Sequence, residues 1–127
     1  MTDFPSQELS SVENVIMIPH LGASTAEAED NCAMIAADEI IEYIENGNVI
    51  NSVNFPSLNM GPKNGNRLCI LAKRNDNLDS LISGAVPDTK NLAIRSNDKY
   101  SYAIAETDAD ISDVAIDDPS IIKIRKL

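Results

Sequence analysis

One long helical stretch, opening after Ser24 and running to about Glu45, constrains this chain more than any other feature. Its apolar positions are Cys32, Ala33, Met34, Ile35, Ala36, Ala37, Ile40, Ile41, Tyr43 and Ile44, and they fill more than one stripe of a 3.6-residue turn. Such a helix needs partners on at least two sides. Its acids find no lysine four residues on, so the pairs that support an exposed helix are missing. Glu42 and Glu45, near its end, also oppose the helix dipole. Ser24 with Glu27 three residues later reads as a capping box at the start. Gly47 reads as the residue beyond the end, in the left-handed region. The pattern predicts a helix that is not stable alone and packs inside something larger.

What precedes the helix has the form of a strand and a loop. Val15-Ile-Met-Ile18 is a short continuous apolar run, as expected of a strand covered on both faces. Pro19 ends it, Gly22 allows a tight turn, and His20 stands between them. In open α/β sheets ligands bind beyond the carboxyl ends of the strands, and the only histidine of 127 residues sits at such an end. A lone histidine after proline is nevertheless more often a surface or capping residue. Gly22, Ala23 and Ser24 form a small-residue turn that a flat ring could approach closely, although a turn glycine and a helix cap explain them equally well.

Charge marks a boundary near Ser57. Residues 1–57 carry ten acidic side chains and no lysine or arginine, whereas residues 58–127 carry all ten basic residues and the other ten acids. Neither half presents a net basic field, which argues against nucleic acid or an anionic membrane as partner. The acidic surface serves solubility in its plainest reading. No run approaches the length of a membrane span, and the N-terminus lacks the basic start and apolar run of a signal peptide. Cys32 and Cys69 form no CxxC and there is no second histidine, so a zinc site is not expected. Two isolated cysteines suit a reducing cytoplasm, each as a small buried hydrophobe.

Beyond the helix, Asn48–Phe55 is short and β-prone, and Ser57–Asn66 is turn-rich and reads as a linker. The remaining residues alternate in a recognisable order. Arg67–Ala72 is a strand, Asn77–Ile82 a short helix, Asn91–Arg95 a strand, and Ser96–Lys99 a hairpin turn. Tyr100–Glu106 is a third strand, Asp110–Ile116 a brief helix and Ile121–Arg125 a fourth strand. This βαββαβ order is the split-βαβ, ferredoxin-like layout. At about sixty residues such a domain is marginal alone, so pairing with a second copy is expected.

Pro19-His20-Leu21-Gly22-Ala23-Ser24-Thr25, then Glu29-Asp30-Asn31, Asn46-Gly47 and Ser52-Val53-Asn54-Phe55-Pro56, resemble the NAD-dependent D-2-hydroxyacid dehydrogenases. The likeness is to the end of the catalytic part in the phosphoglycerate-oxidising members, and covers about residues 10–57. The rest of the chain resembles, mainly in pattern, the regulatory ACT domain that follows in many of them. The fold so implied is α/β plus α+β. Residues 1–57 are the tail of a Rossmann-type catalytic region (strand, long helix, short strand), 58–66 a linker, and 67–127 a βαββαβ ACT-like regulatory domain.

The resemblance also implies roles. His20 is the general acid/base, taking the hydroxyl proton of the substrate while hydride passes to NAD, and its orienting glutamate lies upstream of the span covered here. An imidazole titrates near working pH, which suits it to that task. Gly22, Ala23 and Ser24 lie beside the nicotinamide ring. The loop Asn75-Asp76-Asn77 matches the place where ACT domains bind small amino acids, L-serine often being the inhibitor in this family. A Pro-Gly pair usually opens the helix there; this chain has Asp76-Asn77 and no glycine, and Asn75 or Asp76 also serves as a simple helix cap.

Absences weigh as much. There is no G-x-G-x-x-G, and residues 1–57 hold no cation for an anionic substrate. The chain alone is therefore expected to bind no NAD and to be inactive, as the C-terminal portion of a cytoplasmic enzyme acting on a small-molecule substrate. Homo-oligomerisation is expected through the ACT-like domain and through helix 25–46. The rival from another class is a stand-alone ACT-type module for amino-acid binding or assembly, with residues 1–57 a vestigial arm.

Overall fold

Two strands buried on both faces, with a less buried strand at either edge, form the sheet that organises this protein. A computed structural model describes residues 4–127. The chain divides into two compact units, Met1–Asp38 and Glu39–Leu127. The architecture is mixed α/β, with a four-stranded antiparallel sheet and two α-helices. The helices are α1 (Ala26–Ile41) and α2 (Leu78–Ala85). The strands are β1 (Asn66–Lys73), β2 (Asn91–Ser96), β3 (Tyr100–Thr107) and β4 (Ile121–Lys126), in spatial order β2-β3-β1-β4.

The period-2 pattern of β1 and β3 sends side chains to two separate cores. Leu68, Ile70, Ala72, Ala103 and Ala105 face α2, where they meet Leu78, Ile82 and Val86. The alanines of β3 let the helix lie close. Cys69, Tyr102 and Ile104 face the other way and are covered by Val49 and Leu58, with Phe55 and Met60 packed alongside. Both faces of the sheet are therefore clothed, one by a helix and the other by the segment that precedes the sheet. In β4 the pairing skips Ile122 at an irregularity opposite Leu71/Ala72. That extra residue lets Ile121 and Ile124, three apart, both pack on the α2 side.

Local chemistry explains the turns. Asn97 Oδ1 accepts the amide hydrogens of Lys99 (2.9 Å) and Tyr100 (2.8 Å), closing the β2–β3 hairpin at the expected place. The brief helix expected over Asp110–Ile116 does not form. Asp110 Oδ1 accepts both the amide (2.8 Å) and the hydroxyl (2.6 Å) of Ser112, and Asp118 does the same for Ser120 (2.9 and 2.6 Å). These side chains offer the backbone an alternative to helical bonds. Ile111, Val114 and Ile116 still pack against the α2 core.

Upstream, the expected short strand in Asn48–Phe55 reduces to one bridge, in which Val49 and Leu58 exchange N–H···O bonds of 2.8 and 2.9 Å. The turn-rich stretch that follows is anchored: Leu58 is buried, and Lys63 donates its amide to Asn46 Oδ1 (2.9 Å). α1 continues through a π-helical turn, Glu42–Asn46, and ends at Gly47, whose φ of 71° is the left-handed cap the sequence predicts. A β-carbon there would collide with Cys69 Sγ. Gly47→Ala combines that clash with backbone strain and is expected to destabilise the chain by about 2 kcal/mol. Thermal or urea unfolding checks this; an unchanged midpoint would show that the cap tolerates a side chain.

In Met1–Asp38 no described residue is buried. A 3₁₀ turn spans Gln7–Ser11, and Val15–Ile18 forms no strand beyond a single bridge residue, Met17. The expected covered strand is thus corrected, with Ile16 65% exposed. Such a strand is defined by flanking strands as well as covering helices, and the described residues of this unit form no strand element to flank it. The capping box at Ser24 is corrected too. Thr25 is the cap: its Oγ1 accepts the Ala28 amide at 3.1 Å, leaving Glu27 outside the box.

Candidate functional site

The His20 loop is held by its own backbone. Ser24 donates its amide to the Leu21 carbonyl (3.0 Å), and Glu29 donates to Thr25 O (2.9 Å) as the helix begins. Ser24, Ala23 and Gly22 are exposed. Gly22 would accommodate a β-carbon with no atom within 4 Å, so no described neighbour requires a glycine there. His20 is exposed, and its ring stacks on Phe4 with centroids 4.7 Å apart and planes inclined by 25°. Imidazole, glycine, alanine and serine thus stand together on an open turn that ends in a helix N-terminus. The turn sets an imidazole beside small residues, all of them exposed among the described residues.

The second expected loop is differently built. Asn75 donates its side-chain amide to Ser120 Oγ (2.8 Å), and its Oδ1 accepts the Asn77 amide (2.9 Å). Its backbone amide reaches Ser101 Oγ at 3.1 Å, and Asp76 pairs with Arg74 at 3.3 Å on the surface. Both ends of Asn75 are committed to the fold. A ligand entering here would have to displace Ser120 or Asn77. The structure brings Asn75, Asp76 and Asn77 together ahead of α2, but neither Asn75 nor Asp76 caps the helix: Asn77 holds the cap position without a side-chain cap bond, and Asn75 closes the turn before it.

A third cluster was not anticipated. Arg67, fully buried, donates through Nε (3.1 Å) and Nη2 to Glu106 Oε1. Its Nη1 also donates to the carbonyls of Asn46 and Gly61, and Nη2 to that of Pro62. Glu106 further accepts the Asn91 side-chain amide (3.1 Å) and the Asn64 backbone amide (3.2 Å). Burial works to raise the Glu106 pKa, but the hydrogen bonds from Arg67, Asn91 and Asn64 outweigh it and hold the carboxyl below its ordinary range. Nearby, Tyr102 donates its hydroxyl to Gly47 O (2.7 Å). Burial pushes both its phenol and the neighbouring Cys69 thiol upward, so neither ionises near neutrality. Cys69 is buried as expected and Cys32 is exposed, against expectation. The signal for the ion pair was present in strand parity: Arg67 and Glu106 are cross-strand partners.

Comparison with known proteins relates this chain to metabolic dehydrogenases. Its relatives are D-3-phosphoglycerate dehydrogenases. It is 32% identical to that of Escherichia coli K12 over 111 residues, which is 84% of this chain and 27% of the relative. It is 28% identical to the Haemophilus influenzae enzyme over 109 residues, 86% of this chain and 25% of the relative. A putative D-3-phosphoglycerate dehydrogenase of Schizosaccharomyces pombe is 32% identical over 118 residues, 85% and 24% of the two chains. This chain therefore spans about a quarter of the length of the curated relatives it matches. No family model matches it. Among the described residues, no helix is long and apolar enough to cross a membrane, and no group of acids, histidines and cysteines is placed to hold a metal ion.

Proposed function

We propose that this chain is the C-terminal portion of a D-3-phosphoglycerate dehydrogenase, whose intact form oxidises 3-phosphoglycerate to 3-phosphohydroxypyruvate with NAD in the cytoplasm. One observation carries the reading: the similarity to single relatives runs over more than four-fifths of this chain, through the His20 loop, α1 and the sheet. In this reading residues 1–57 end the catalytic region, 58–66 connect, and 67–127 form the ACT regulatory domain. The strand order β2-β3-β1-β4, all antiparallel, supports a ferredoxin-like assignment, with the second crossover helix replaced by the turn-rich loop after β3. Its edge strands β2 and β4 favour a homo-oligomeric parent.

The fit to NAD is partial. The open turn at Gly22, Ala23 and Ser24 suits close approach of a flat ring. The glycine-rich cradle for a pyrophosphate is absent from the sequence, so this chain alone should not bind the dinucleotide. Bound in the intact enzyme, NAD would supply the hydride acceptor. His20 holds the hydroxyl proton as the alcohol becomes a ketone and returns it in the reverse direction. An amino-acid effector would act at the loop of Asn75, Asp76 and Asn77 only after rearranging the Asn75 bonds.

Mass spectrometry of the native polypeptide carrying this sequence tests the proposal. The expected result is a chain about four times as long as this one, with NAD-dependent oxidation of 3-phosphoglycerate in the same fraction. A native chain beginning at Met1 would exclude hydride transfer and favour a stand-alone binding or assembly module.

A further inference from the structure

The end of α1 is closed twice, by its own Gly47 cap and by side chains that reach it from the sheet. A helix leaves its last four carbonyls without intrahelical partners and a partial negative charge at that end. Between Ala26 and Asn46 there are seven acids and no base, and two of those acids, Glu42 and Glu45, lie in the final turn. Arg125 of β4 donates through Nη1 to Tyr43 O (2.9 Å) and through Nη2 to Ile44 O (3.1 Å), while its guanidinium lies 4.2 Å from the centre of the Tyr43 ring. Arg67 of β1 takes Asn46 O, and the Tyr102 hydroxyl of β3 takes Gly47 O. β4 is an edge strand, bound to the sheet on one side only.

We propose that Arg125 makes β4 a latch on α1: with β4 in the sheet its guanidinium closes the Tyr43 and Ile44 carbonyls, and when β4 leaves, that part of the last turn loosens. The latch is electrostatic. Arg67 is fixed in its buried pair with Glu106 inside the sheet, whereas Arg125 sits on an edge strand that is bonded on one side only. Anything that binds or displaces β4 is thereby reported to the helix that follows the His20 loop in the chain. This goes beyond the proposed dehydrogenase reading and does not depend on it.

Amide exchange measured by NMR on the whole chain tests the latch. Gly47 and Asn48, which donate to the Tyr43 and Glu42 carbonyls, report the helix end. Ala103, Ile104 and Ala105 report the sheet. Arg125→Met should speed exchange at Gly47 and Asn48 by about tenfold and leave the β3 amides unchanged. Arg125→Lys keeps the charge but loses the two-pronged contact, and should fall between. Adding Glu45→Gln, which removes an exposed acid from the same turn, should recover part of the loss in Arg125→Met. Unchanged helix-end exchange, equal acceleration in β3, or no recovery with Glu45→Gln would each overturn the proposal.

Discussion

Arg67→Ala is expected to destabilise the folded sheet by about 3–5 kcal/mol, the range for removing one partner of a buried ion pair. Arg67 has no exposed surface and serves Glu106 and three carbonyls, those of Asn46, Gly61 and Pro62. Its loss leaves a buried carboxylate with two amide donors, Asn91 and Asn64, and strands the carbonyls that fix residues 46–62 over the sheet. Against a typical total of about 5–15 kcal/mol, such a change approaches global unfolding. Urea denaturation measures it, and a loss under about 1 kcal/mol would show that water reaches the site. Replacing both partners, Arg67→Met with Glu106→Leu, should cost much less, because it leaves no uncompensated charge. The pH dependence has a definite sign. The Glu106 carboxyl is held below its unfolded value, so its stabilisation is present above the ordinary carboxyl range and fades as pH falls through the lowered folded pKa. Asp110 and Asp118, held down by hydrogen bonds from Ser112 and Ser120, titrate in the same sense. The stability gap between wild type and Glu106→Gln should therefore narrow in acid.

That ion pair also shows where the sequence could be read and where it could not. Strands β1 to β4 and the Asn97 turn were legible because their signals are local: short apolar runs bounded by turn residues, and an asparagine that closes its own turn. The Asp110–Ile116 helix failed for an equally local reason, an aspartate at its start that bonds to the serine two residues on. Val15–Ile18 failed for a non-local one, since an apolar run becomes a covered strand only where neighbours exist to cover it. Cys32 followed the same logic, being apolar in a helix whose described residues bury nothing. Arg67 and Glu106 lie 39 positions apart and meet only through the β1–β3 register. Given that register, their alternation with Cys69, Leu71, Tyr102 and Ile104 places both on the face that residues 49–60 cover. A charged residue on a covered face demands an opposite partner, and each was the other's.

On the proposed reading, His20→Ala in the native enzyme should lower kcat for 3-phosphoglycerate oxidation by about a hundredfold or more, the contribution of general acid/base catalysis. The open position of His20 suits that role, since a proton carrier must reach its substrate and an imidazole enclosed in a core cannot. Phe4 packs on one face of the ring and leaves the small-residue turn at Gly22 uncluttered. An interaction made only as the proton moves lowers kcat and kcat/KM together, whereas a residue that merely binds substrate raises KM. The variant should accordingly leave KM near its original value and change the shape of the pH–rate profile. Phe4→Ala, which removes the stack but not the proton carrier, should cost far less. A His20→Ala enzyme with near-normal kcat and an unchanged pH profile would reduce His20 to a surface residue of the turn, and the proton would have to leave by another group.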